Sequence, residues 1–355
     1  MLSFPPELLR EFARHLSRHQ LTICVRVCQE WHAVFNSSLW EKVLLDSPRD
    51  SDSRFASFKQ CVEAGALSRS GRLIRVLRAY HYETASLLIT YGATACTDIV
   101  YLKLGSKSDA AVDNEHAIRL FEQSTRLKHL RLVGQMVWSA TPKFEQLMAA
   151  IPTTLELLFL HDVEPDEEQY LNAERSSAEE AVTAGPRPLI PFLPRLASLG
   201  PLDAPIDNAS WPMMFQNCPN LKTLCLNTIN GQKAAQSVSS AAREHCPKLN
   251  QLRLFTMTHD EFISFDEVWA TLLSSSTCGW DTLKVDMVST SSFTVGPLSM
   301  AALLHPRHAS TLKILEFGYG AKISSDDCQR LHDVAPNLTI TVDHEIIHRR
   351  KILEE

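Results

Sequence analysis

Asn217-Cys218-Pro219-Asn220-Leu221-Lys222-Thr223-Leu224-Cys225-Leu226 decides the fold, because His245-Cys246-Pro247-Lys248-Leu249-Asn250-Gln251-Leu252-Arg253-Leu254 repeats its spacing after a step of 28 residues, Leu221 to Leu249. Proline ends a helix and presets the turn that follows it. The apolar unit after the turn is Leu-x-x-Leu-x-Leu. Outward from this pair, the unit recurs at Ile99, Leu102, Leu104; at Leu127, Leu130, Leu132; at Leu155, Leu158, Leu160; and at Leu312, Leu315, Phe317. The steps from Ile99 to Leu127 and from Leu127 to Leu155 are again 28 residues. Weaker copies begin at Ile74 with Leu77 and Ala79, at Leu196 with Leu199, at Trp280 with Leu283 and Val285, and at Leu338 with Val342. Between them lie apolar positions at helical spacing: Ala117, Ile118, Leu120, Phe121; Phe144, Leu147, Met148, Ile151; Ala234, Val238, Ala241; and Cys328, Leu331, Val334. These patterns predict an α/β fold in which each unit is a short strand followed by a helix. Neither face of such a unit is buried without a neighbour, so stacking is obligatory.

The spacing, together with the lead-ins Asn217-Cys218-Pro219-Asn220, His245-Cys246-Pro247-Lys248 and Ala335-Pro336-Asn337, resembles the leucine-rich-repeat family across most of residues 74–343. That resemblance implies a solenoid, a horseshoe of about ten irregular repeats, over 73–343, with residues 344–355 as a terminal cap or tail. The segment 161–191 breaks the period. It is rich in alanine, proline and acid, with Glu164, Asp166, Glu167, Glu168, Glu174, Glu179 and Glu180, and reads as a solvated insertion.

The chain opens differently. Pro5, Pro6 and Glu7 read as a helix start, with Leu8, Leu9, Phe12 and Leu16 at helical spacing behind them. Ser17 can cap a second helix carrying Leu21, Cys24, Val25 and Cys28, and a third segment holds Val34, Phe35, Leu39 and Trp40. Three short helices bury little surface alone, so they need something to pack on. One reading is a cap over the following repeats. The order Phe4-Pro5-Pro6-Glu7-Leu8-Leu9, Leu16, Leu21, Cys24, Val27-Cys28, Trp31, Leu39-Trp40 also resembles the F-box family over about the first 45 residues, with Phe4 where leucine is usual and Gln20 where an acidic residue is common. Members of that family dock the Skp-family adaptor of cullin–RING ubiquitin ligases. The resemblance implies an F-box-like module at 1–46, a helical connector at 47–72, and adaptor contacts at Pro5, Leu8, Leu9, Leu21 and Val25.

Composition excludes several alternatives. The net charge of -6 argues against a nucleic-acid-binding surface. No stretch reaches the roughly 18 apolar residues of a membrane span, and no secretory signal is evident. Nine cysteines without paired spacing suit reduced thiols. The expectation is a cytoplasmic or nuclear protein that contacts neither membrane nor nucleic acid. Signals for catalysis are weak. His344-Glu345-Ile346-Ile347-His348 matches the H-E-x-x-H zinc motif, but only seven residues follow it, and a third-ligand histidine is missing where Glu354 stands. A charged cap helix over the last repeat is the preferred reading. Cys24, Cys28 and His32 lie at successive i+4 positions, but the cysteines read as ordinary small apolar core residues rather than metal ligands. No glycine-rich phosphate loop or nucleophile elbow occurs, so no cofactor and no enzymatic activity are expected.

Within Leu-x-x-Leu-x-Leu the leucines point inward, and alternation along a strand sends the intervening side chains to the opposite face. The central row is then Lys103, Arg131, Phe159, Cys225, Arg253, Lys284 and Glu316, flanked by Tyr101, His129, Phe255 and Asp286. Arg131, Phe159, Arg253, Phe255 and Lys284 are the candidate contacts for a target protein, because aromatics and arginine dominate interface energetics. The expected partners are therefore the adaptor, and through it a cullin–RING ligase, and a protein substrate with acidic and apolar features. The alternative is a leucine-rich-repeat interaction scaffold with no link to ubiquitination.

Overall fold

The computed structural model describes residues 4–45, 51–79, 82–106, 114–134, 142–161, 190–202, 210–258, 264–285, 293–318, 321–342 and 345–348. It divides into two compact units, Met1–Thr154 and Leu155–Glu355. Most of the insertion at 161–191 lies outside the described residues.

The first unit begins with helices α1 (Pro6–His15), α2 (Arg18–Cys24) and α3 (Gln29–Glu41). Ser17 caps α2 as expected: its hydroxyl accepts the Gln20 N–H at 3.3 Å, and the Gln20 side-chain oxygen accepts the Ser17 N–H at 2.8 Å. Glutamine thus supplies the reciprocal half of a capping box, which needs an acceptor and not a charge. Four parallel strands follow in sequence order: β1 (Lys42–Leu45), β2 (Val76–Ala79), β3 (Tyr101–Ser106) and β4 (His129–Gly134). β1 corrects the sequence reading, in which residues up to 46 were helical. Val43 and Leu45 were too short a pattern to register as a copy of the unit, yet they pair with Leu77 and Ala79. The connector is helical, at Ser51–Glu63 and Ala66–Ser70, and three more helices, Tyr82–Gly92, Asn114–Gln123 and Pro142–Ala149, follow the later strands.

Register explains the sequence period. Val43, Leu77, Leu102 and Leu130 are direct cross-strand neighbours, and all are buried. Each such aliphatic side chain contributes roughly 1.5–3 kcal/mol of burial. The turns into the strands are tied as well: the Val100 N–H donates to the Arg75 carbonyl at 2.8 Å, and the Lys128 N–H to the Val100 carbonyl at 2.9 Å.

The second unit repeats the scheme. Parallel strands β5 (Leu157–His161), β6 (Ser198–Leu202), β7 (Thr223–Asn230), β8 (Gln251–Thr258), β9 (Thr282–Val285), β11 (Ile314–Phe317) and β13 (Thr339–Val342) pair in that order. A small parallel pair, β10 (Phe293–Thr294) with β12 (Ala321–Lys322), stands apart from this sheet. Helices Ser210–Gln216, Gly231–His245, Phe265–Leu273, Pro297–Leu303 and Ser325–Val334 follow these strands, the first three each packing against the next. Leu158, Leu199, Leu224, Leu252, Leu283, Leu315 and Ile340 form one continuous buried ladder.

Two irregularities have local causes. The copy at Leu196 is weak because β6 shifts register after Leu199. Gly200 adopts φ +112°, and a Cβ there would lie 1.9 Å from the Cys225 carbonyl oxygen. Only glycine fits. Trp280 replaces the first leucine of its unit and stays buried because its indole N–H donates to the Leu273 carbonyl at 2.8 Å.

The chain end departs from the expected cap helix. Glu345–His348 is a strand, β14, antiparallel to β13. A helix would place histidines four apart on one face about 6 Å from each other, whereas the same spacing along a strand separates them by about 13 Å. The helical geometry on which the H-E-x-x-H motif depends is therefore lost, although His344 itself lies outside the described residues.

Candidate functional site

Two surfaces are candidates, one on the opening helices and one on the strands. Leu9, Ala13, Leu21 and Phe35 form the core of the helical module, with Leu16, Cys24, Val25, Trp31, Val34 and Leu39 packed around it. Trp31 tilts against Phe35 at 5.2 Å between ring centroids. This core is small, and it leaves large apolar side chains outside: Leu8 is 51% and Phe12 57% exposed, and Phe4, Ile23 and Val27 are similarly bare. Leu8 and Phe12 stand one turn apart on the same stripe of α1.

That arrangement redistributes the residues the F-box resemblance picked out. Pro5 and Leu8 are exposed and Val25 is half-buried, whereas Leu9 and Leu21 are only 5% exposed and are packed within the module. Leu9 and Leu21 therefore hold the three helices together rather than presenting themselves. The initial stripe of Leu8, Leu9, Phe12 and Leu16 is really two stripes, one inward through Leu9 and Ala13 and one outward through Leu8 and Phe12. Periodicity cannot separate them, because both are apolar. Cys24 packs on the module's core, but Cys28, read from the sequence as a core residue, is exposed, and its sulfur accepts the Trp31 N–H at 3.5 Å. Among the described residues no cluster of histidine, cysteine and carboxylates could hold a metal ion.

On the strands, alternation holds. In the first unit Leu44, Arg78, Lys103 and Arg131 are register-mates on β1 to β4, flanked by Lys42, Val76, Tyr101 and His129. Arg78 belongs to this row, and the sequence reading omitted it because the unit at Ile74 ends in alanine. The Arg78 guanidinium lies over the Tyr101 ring at 5.0 Å, and Tyr101 meets His129 edge-on at 6.0 Å. Such a cation–π contact fixes the guanidinium over the sheet.

In the second unit the row is Cys225, Arg253, Lys284, Glu316 and Thr341. Cys225 is buried, Arg253 is exposed, and Lys284 is ion-paired with its register-mate Glu316. Phe159 is half-buried on β5. Phe255 sits on β8 with its side chain outside the described part, and Asp286 lies outside the described residues.

The buried thiols are structural. Burial pushes Cys96, Cys218 and Cys246 each up to about 12, and the Cys246 thiol donates to the Cys218 carbonyl at 3.5 Å. A thiol so far above its ordinary value is not a nucleophile near neutral pH. No described helix is long and apolar enough to cross a membrane.

Neither a family model nor a curated protein matches the chain. Among solved structures it is similar to the leucine-rich repeat-containing protein LegL7 from Legionella pneumophila, with a TM-score of 0.44 and 14% identity over 79% of this chain and 87% of that one. It is also similar to the structure of the Rad7 and Elc1 complex in yeast, with a TM-score of 0.41 and 11% identity over 97% of this chain and 90% of that one.

Proposed function

We propose that this protein is the substrate-recognition subunit of an SCF-type cullin–RING ubiquitin ligase, docking a Skp-family adaptor through α1 to α3 and a target protein through the strand face. The observation that carries this reading is the outward stripe of α1. Leu8 and Phe12 are more than half exposed in a module whose own core is already filled by Leu9, Ala13, Leu21 and Phe35. Grouped exposed apolar side chains of this size mark interaction sites more often than isolated ones do. The chain then contributes proximity and orientation, holding a target near a ubiquitin-charged partner, with no catalytic group of its own and no cofactor. Such a protein works in the cytoplasm or nucleus.

Co-purification with the adaptor tests the proposal. The wild type should capture it, and Leu8→Asp with Phe12→Asp should abolish capture while the thermal midpoint stays put. Because Leu9 and Leu21 are interior, their substitution would unfold the module and is uninformative. A wild-type chain that never captures the adaptor would leave the second reading, a repeat scaffold without a ligase, which the in-register strand face supports by itself.

A further inference from the structure

We infer that a groove across the entry ends of β8, β9, β11 and β13 is a docking site for this chain's own segment Arg349-Arg350-Lys351-Ile352-Leu353. The groove lies within the second unit, has a volume of about 770 Å³, and runs from Asn250 just before β8, past Asp281 and Lys313, to Thr339 at the start of β13. Neighbouring strands stand about 4.8 Å apart, so crossing from the first of these four to the last takes roughly 14 Å. The wall carries two large apolar side chains that the fold leaves bare, Ile314 at 39% and Val334 at 48% exposed. It also carries an acceptor without a donor: the side-chain oxygen of Asn250 is buried and has no hydrogen-bond partner among the described residues. A buried acceptor left unpaired is costly. Bare aliphatic walls beside a waiting acceptor suit a polypeptide, which brings aliphatic side chains and backbone N–H groups together.

The course of β14 selects the occupant. It runs antiparallel to β13, from Glu345 beside Val342 to His348 beside Ile340. Its outgoing end therefore points at Thr339, the near end of the groove. Residues 349–355 lie outside the described residues. Five residues reach about 17 Å when extended, enough for the roughly 14 Å to be crossed. The chemistry matches as well. Ile352 and Leu353 supply an aliphatic pair for Ile314 and Val334, and the charges on either side of them meet a wall where Lys313 and Asp281 already pair at 2.6 Å. A tethered segment also docks at a far higher effective concentration than a free one. Seated there, it shuts other polypeptides out of the groove until it is displaced. The assignment goes beyond adaptor docking through α1 and stands whether or not that docking occurs.

Cys278 lines the same groove and is exposed, which makes it a reporter. The test is alkylation by iodoacetamide, read at each cysteine by mass spectrometry, in the full-length protein and in a chain stopped after His348. Cys278 should react about tenfold more slowly in the full-length protein, the protection that a millimolar effective concentration gives a segment whose free Kd is near 0.1 mM. Cys28, exposed in the opening helices, should react equally in both. Ile352→Asp with Leu353→Asp in the full-length chain should release Cys278 as the truncation does, and this variant decides the matter if truncation lowers the thermal midpoint. In fluorescence anisotropy, a labelled peptide of residues 349–355 should bind the shortened chain and lose that binding on Ile314→Asp, an exposed position. Equal alkylation of Cys278 in the full-length, shortened and substituted chains would overturn the inference, as would peptide binding indifferent to Ile314→Asp. Protection that fades on dilution would give the groove to a second copy's segment and would overturn it too.

Discussion

Leucine does opposite things in the opening helices and in the second unit's coils. In the coils Leu252 is flanked in register by Leu224 and Leu283 and closes off from water entirely, because each strand's neighbours are copies of itself. In α1 the neighbouring residues Leu8 and Leu9 part company, one half exposed and one interior, because three short helices have room for a single small core. Repetition supplies its own neighbours; a module without it leaves apolar surface over, and that remainder is where a partner can bind.

This contrast should be largest in stability. Leu252→Ala should cost about 2–5 kcal/mol by chemical denaturation, since the cavity it leaves is walled on both sides. A loss below about 1 kcal/mol would mean that the coils collapse freely and that the ladder is not what holds them. The next effect is pH-dependent. His308 is buried against Trp280, and burial, with the nearby His305 and Arg307 charges adding, lowers it to about 4 from an ordinary 6.5. Above pH 6.5 it is neutral folded or unfolded, so it changes nothing. As pH falls from 6.5 towards 4 the unfolded chain takes up a proton that the folded chain refuses, and stability drops by on the order of 2–3 kcal/mol. In His308→Phe the denaturation midpoint should fall less over that window; an unchanged pH slope would remove the histidine as its cause.

A smaller effect is expected where one coil ties the next. The Asp266 carboxylate accepts the Gly296, Leu298 and Ser299 N–H groups at 2.9–3.0 Å, capping the following helix. Asp266→Ala should cost about 1–2 kcal/mol, measured by thermal unfolding, and Asp266→Asn should recover part of it. The smallest belongs to the opening helices: Leu8→Ala should shift stability by less than about 0.5 kcal/mol while still weakening adaptor capture. If Leu8→Ala destabilised as much as Leu252→Ala, the two regions would not differ and the outward stripe would be structural.

Much of the strand scheme was legible because its signal is redundant: Leu102, Leu130, Leu224 and Leu252 each predict the same register, and every one lands in it. β1 was missed because Val43 and Leu45 carry only part of the unit and no proline turn precedes them. The chain end was misread because Glu345-Ile346-Ile347-His348 carries a helical motif around two β-branched residues that suit a strand equally well, and pairing with Thr339–Val342 decided between them. For the candidate surfaces, alternation puts Lys103 and Arg131 in register with one another on the first unit's strands, and Arg253 and Lys284 in register on the second's. It could not reveal that Lys284 is matched by Glu316, because which charges oppose each other depends on cross-strand register. Nor could it divide Leu8 from Leu9, a distinction set by what the second and third helices cover.

β14 has a consequence for assembly. A sheet of parallel coils invites a second molecule to add its own first coil at the open border and so on without limit, the route to filaments. Here the last parallel strand is occupied by a segment running the other way, so an incoming coil meets backbone of the wrong polarity. Reversing direction once, beside β13, closes that strand's edge to a further parallel coil.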